Sequence, residues 1–172
     1  MVALSIFAVP GLLRRFACLS YELLLMAALV ITLAAFYTAF KAWLGDTYWL
    51  EFVFRLSIVS VLFFYFCVSW TTKGQTVAMT AWRIKVVQAD GGTLNWQRAG
   101  LRFFSALILC TMLPLLAYLG IRRHYGPSPL AVWLSFIWAF LPFLAACVDP
   151  ERQFLHDRLA GTRLIHIPSR RN

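Results

Sequence analysis

The chain has 172 residues, of which 61% are hydrophobic and only 13% charged, with 16 Lys and Arg against seven Asp and Glu for a net charge of +9. A soluble domain of this length would be about half apolar and about a quarter charged. The surplus apolar surface, seen also in a mean hydropathy of +0.72, therefore has to face lipid.

The basicity suits a membrane protein whose loops lie against anionic headgroups. Nucleic-acid binding is not expected, because the cations are scattered between apolar runs and form no stripe. The four cysteines, at 18, 67, 110 and 147, lie within apolar runs and form no C-x-x-C pair, so neither a disulfide framework nor a zinc site is expected. The opening "MVALSIFAVPGLLRR" has its arginines after the apolar stretch rather than before it. That order argues against a cleaved signal peptide and for an amino-terminal segment at the interface.

About twenty apolar residues cross a bilayer as a helix. Four stretches meet that length, at about 16–40, 50–70, 101–120 and 129–148, with Pro114 and Pro142 in the last two. Trp43, Tyr48, Trp49 and Trp70 stand at predicted span ends, as an aromatic belt requires. With the amino terminus in the cytoplasm, twelve cations fall on that side. They are Arg14, Arg15, four of the 71–100 loop, Arg102, and five of the 149–172 tail. Only Lys41, Arg122 and Arg123 fall opposite, so the positive-inside rule predicts four spans with both termini cytoplasmic.

The 71–100 loop carries more than linker chemistry. Trp82, Ile84 and Val86 alternate with Arg83, Lys85 and Val87, and "ADGG" follows, which together predict a hairpin over 82–94. Near the end, "GTRLIHIP" alternates too, with Leu164 and His166 on one face. Because a lone hairpin is marginal in water, 162–167 is expected to pair with 82–88. Asn95 then suits the N-cap of a helix that continues into the third span. The fold expected is all-α integral membrane, a single domain over 1–172, with four transmembrane helices and a small cytoplasmic β element.

The polar residues inside the apolar runs are the candidates for function. Arg15 and Glu22 are seven residues apart, about two turns and about 10 Å along one helix face, too far for a simple pair. Arg15 can snorkel to headgroups. An ionised Glu22 in the hydrocarbon costs several kcal/mol unless paired, so it needs a partner or a proton. Arg102 and Arg158 are the arginines expected to supply a structural pair; the alternative is a proton- or cation-binding carboxylate. Glu51 and Arg55, spaced i, i+4, suit an intrahelical ion pair.

His156 beside Asp157 invites a catalytic reading, but neighbours on a helix point about 100° apart and are not expected to meet. No nucleophile context and no metal-ligand spacing accompanies them, so neither enzymatic activity nor a metal or cofactor is expected. His124 and His166 are lone residues with no assigned role.

Three stretches together resemble the RDD family of bacterial integral membrane proteins. In "RRFACLSYE", Arg15 stands at the family's arginine and Glu22 at its first acidic position. "KGQTVAMTAWRIKVVQADGGTLNWQRAGLRFF", which includes Gln75, resembles the cytoplasmic loop. In "DPERQFLHDRLAGTRLI", Asp157 matches the second aspartate, with Gln153, His156 and Arg158 around it. The chain departs from the pattern in three ways. Glu22 replaces the family's aspartate, Ala78 stands where glycine is usual, and two or three spans are common in the family. The resemblance implies the bacterial inner membrane and, as a suggested activity, transport. Two functions stay open: an ion- or solute-coupled carrier centred on Glu22, or a scaffold or accessory subunit, a homo-oligomer or bound to a membrane partner, in which Arg15, Glu22 and Asp157 are structural.

Overall fold

A computed structural model describes residues 9–45, 47–148 and 153–168. Apolar runs without interruption become long helices. α1 is Leu12–Leu44 and α2 is Tyr48–Thr72, each extending beyond the predicted span at both ends. After the short α3, Val77–Ala81, comes strand β1, Ile84–Gln88. α4, Trp96–Leu107, passes through a π-helical turn at Ile108–Met112 into α5, Leu113–Tyr125. α6 is Pro129–Val148; α7, Leu155–Leu159, and strand β2, Thr162–His166, close the chain.

α1, α2 and the continuous helix Trp96–Tyr125 are long and apolar enough to cross a membrane. The stretch expected as a fourth span is a 20-residue helix, α6, which is not among the three helices of spanning length and hydropathy within the described residues. The π turn has a local cause. Pro114 has no N–H to return to the preceding turn and its ring crowds the carbonyl there, so the ladder widens and the Leu113 N–H reaches the Ile108 carbonyl.

Asn95 caps α4 as expected, its side chain accepting from the Arg98 N–H at 2.9 Å. The hairpin expected over 82–94 does not form. The Asp90–Gly91 turn is made, with the Gln88 N–H on the Gly92 carbonyl at 2.9 Å, but the chain beyond it is loop up to α4. β1 pairs instead with β2, antiparallel, in the register Ile84↔His166, Val86↔Leu164 and Gln88↔Thr162. The tail strand wins because it adds a second apolar row: Leu164 joins Ile84 and Val86 in the core.

That core lies at one end of the helices. It joins Cys18 of α1, Cys67 and Trp70 of α2, Ala78 of α3, Phe103 of α4 and Phe154, just before α7, to the sheet. Cys18 and Cys67 are free thiols there, packed as small hydrophobes. Elsewhere α1 and α2 expose large apolar side chains, among them Leu24, Ile31, Phe36, Phe52 and Phe64, a surface that lipid covers at no cost. Within α1 only Arg15, Cys18 and Glu22 are buried, spaced so that one stripe of the first three turns faces the core.

Candidate functional site

The buried stripe of α1 carries two of the three polar positions singled out above, and the third arrives from α7. Glu22 is held by hydroxyls. Tyr65 of α2 donates its hydroxyl to Oε1 at 2.9 Å, and Thr76, at the entrance to α3, donates its hydroxyl to Oε2. The same Thr76 oxygen caps α3 by accepting from the Met79 N–H at 3.2 Å. A hydroxyl has one proton, so accepting from the backbone leaves that proton for the carboxylate. Neither arginine expected beside Glu22 is there: Arg102 pairs with Asp157 and Arg158 lies on the exposed side of α7.

Glu22 also sits less deep than its place in an apolar run implies. α1 has 33 residues and is therefore about 50 Å long, against a hydrocarbon thickness of about 30 Å. A layer of that thickness, measured from the Trp43 and Trp49 end, stops near Leu24. Thr76 lies four residues beyond the end of α2 in a loop, so the carboxylate is level with loop backbone.

Asp157 is fully buried. Its carboxylate makes an ion pair with Arg102 of α4, also buried. The Arg102 guanidinium donates to the Thr162 hydroxyl at 2.8 Å and lies 4.8 Å from the centre of the Trp70 ring. Thr162 in turn donates to the Asp157 backbone carbonyl at 3.2 Å. One arginine thus ties together α2, α4, α7 and β2.

His156 Nε2 comes within 3.4 Å of Asp157 Oδ1, nearer than the divergence of helical neighbours implies, but no hydrogen bond joins them. Their Cβ directions diverge, but the long imidazole swings back toward the carboxylate inside the packed end. Its ring stacks on Phe154 at 5.5 Å, and the Arg15 guanidinium lies 5.7 Å from the same Phe154 ring. Burial lowers the His156 pKa below its usual range, Asp157 opposes that shift and Arg102 adds to it, so the imidazole is neutral at pH 7. Arg15 further donates from Nε to the Pro10 carbonyl at 3.1 Å.

The supporting positions divide. Gln75 donates to the Ile84 carbonyl at 2.8 Å and so fastens β1, and Gln153 is buried beside Phe154 in the chain. Glu51 and Arg55 make the expected i, i+4 ion pair on an exposed face at the other end of α2. Trp70, expected in an aromatic belt, is buried in the core, and Tyr65, Thr76 and Thr162 carry no signal that marks them in the sequence. Thr76 is only a hydroxyl residue ahead of a short helical stretch; the others look like any membrane aromatic or strand threonine.

Chemically, the arrangement offers one carboxylate ringed by neutral donors and one neutralised by an arginine. No group of three or more metal-ligating side chains occurs among the described residues. The model of the RDD family matches residues 9–161, a stretch that contains Arg15, Glu22, Arg102 and Asp157. The chain belongs to the RDD family. No curated protein and no solved structure matches it. Within this RDD protein Glu22 and Asp157 lie in one packed end but belong to different contacts, Glu22 to Tyr65 of α2 and Thr76 and Asp157 to Arg102 of α4.

Proposed function

We propose that this RDD protein is a non-enzymatic membrane scaffold or accessory subunit whose packed, basic end presents the small sheet to a membrane partner or a second copy. In this reading it crosses the bacterial inner membrane four times, by α1, α2, the α4–α5 helix and α6, with both termini cytoplasmic. The charge asymmetry of the loops supports that orientation, and nothing in the loop chemistry favours nucleic acid.

The observation that carries the reading is the use of Asp157: a fully buried carboxylate is spent on a buried arginine that ties the tail to the helices. Such a pair has no freedom to bind or release an ion without opening the end of the molecule. Substitution of Asp157 should then lower abundance in the membrane. The replacement of both partners, Arg102→Met with Asp157→Leu, should restore it. Proteoliposomes holding the purified protein should pass no more protons or sodium than empty vesicles; flux above that background would sink the scaffold reading.

A carrier role has one observation in its favour. Glu22 has two hydroxyl partners and no arginine, so its charge is stabilised but not cancelled. Transport through this site requires that Glu22→Gln abolish a measured proton or sodium flux while the protein remains folded.

A further inference from the structure

A groove opens between α1 and the α3–β1 corner, lined by Tyr21, Ala81 and Trp82. Tyr21 is seven residues after Arg14, so the two share a face of α1, with Arg14 about 10 Å nearer the helix start. Leu24, well exposed, continues that face away from Arg14. On the other wall, Arg83 follows Trp82 directly. His166 closes the polar end: it sits opposite Ile84, and the Ile167 N–H bonds to the Arg83 carbonyl at 2.9 Å.

The Ile167 bond to Arg83 places His166 beside that arginine, and slight burial together with the charges of Arg14 and Arg83 lowers its pKa. Among the described residues no acidic side chain answers them. Glu22, Glu51 and Asp157 are occupied by Tyr65 and Thr76, by Arg55 and by Arg102, and Asp90 accepts from the Gly92 N–H. Neither Arg14 nor Arg83 has an ion pair among the described residues.

Arg83 also has φ of 55°, the one non-glycine residue described in the left-handed region. Glycine would make that turn with less strain. The vertical order is that of a phospholipid: cations at the polar end, two amphipathic rings at the boundary, apolar residues below.

We propose that this groove holds one anionic phospholipid, its phosphate against Arg14, Arg83 and His166 and its chains running down past Tyr21 and Trp82. The assignment rests on the membrane placement argued above, with this end of α1 at the headgroup level.

Trp82 is the reporter. Full-length protein is placed in phosphatidylcholine vesicles doped with brominated phosphatidylglycerol or with brominated phosphatidylcholine. Quenching of Trp82 is read as the difference between the parent and its Trp82→Phe variant. The brominated anionic lipid should quench at a lower mole fraction, by roughly five-fold for each arginine engaged. Arg14→Gln combined with Arg83→Gly should bring the two lipids to equal quenching. Because glycine relieves the left-handed turn, loss of preference in that variant with an unchanged thermal midpoint reports the charge and not misfolding. Arg122→Gln, at the other end of the molecule, should change nothing. Equal quenching by the two lipids in the parent protein, or an undiminished preference in the double variant, overturns the lipid site alone. Loss of the preference on adding millimolar inorganic phosphate at constant ionic strength assigns the site to a free anion and overturns it too. Quenching by neither lipid overturns the membrane placement as well.

Discussion

Asp157 and Arg102 show how costly a half-made contact is in this end of the molecule. Both are buried, so Asp157→Ala strands a guanidinium over Trp70 and should destabilise by about 3–5 kcal/mol, measured as denaturant unfolding in micelles. Arg102→Met with Asp157→Leu should recover most of that loss, because the apolar pair leaves no uncompensated charge. Glu22 is expected to be milder. Tyr65→Phe removes one donor of two and should cost about 1–2 kcal/mol. His156 sets the pH response. Its pKa is lowered in the folded protein, chiefly by burial, so the unfolded chain binds the proton more readily. The stability it contributes is complete above its ordinary value of about 6.5 and is lost as pH falls from there toward the folded pKa. The thermal midpoint should therefore drop as pH falls below about 6.5, and His156→Gln should flatten that part of the curve.

Among the elements, the sheet is the joint between the two halves of the chain. β1 bonds to β2 and, on its other side, Val86 donates to the Gly74 carbonyl at 2.8 Å. Gly74 has φ of +69°, and a Cβ there would lie 2.8 Å from the Lys85 side chain and 2.9 Å from the Val86 carbonyl oxygen. Gly74→Ala thus meets both a strained backbone and an oxygen fixed in the strand; a loss of at least about 1 kcal/mol is expected in the same unfolding assay. Truncation after Ala160 removes β2 and the Thr162 partner of Arg102 while leaving every long helix intact. Proteolysis at 82–95 should then become fast while the helices stay protected, since a lone strand cannot hold its place.

For the molecule as a whole, the division is between a packed end and long helices that expose apolar surface. Four crossings with both termini inside require that the loop at 126–128 and the turn at 90–92 lie on opposite sides. Single cysteines at Ser128 and Gly91, in a chain whose natural cysteines are replaced by serine or alanine, should react with a membrane-impermeant maleimide from opposite faces of oriented vesicles. Labelling from the same face would leave an even number of crossings between them and exclude α4–α5 as a complete span.

Hydropathy alone was enough to place α1, α2, the α4–α5 helix and α6, because a run that must face lipid has to be apolar at every position and a helix must satisfy its own backbone there. Asn95 and the alternation of 162–166 were equally legible, since a cap and a strand period are local properties. The family pattern pointed to Arg15, Glu22 and Asp157 but paired none of them. Who meets whom was decided only by the tertiary structure. Asp157 and Arg102 are 55 positions apart, Glu22 and Thr76 54 apart, and no local rule links residues at such distances. The hairpin gave way to a distant strand for the same reason: its turn chemistry is local and correct, yet Leu94 reaches the core from a loop while the tail strand supplies Leu164 beside Ile84 and Val86. Even the depth of Glu22 was a tertiary fact. The sequence showed a carboxylate in an apolar run, and only the full length of α1 and the loop hydroxyl of Thr76 set it level with loop backbone near one end of the helices.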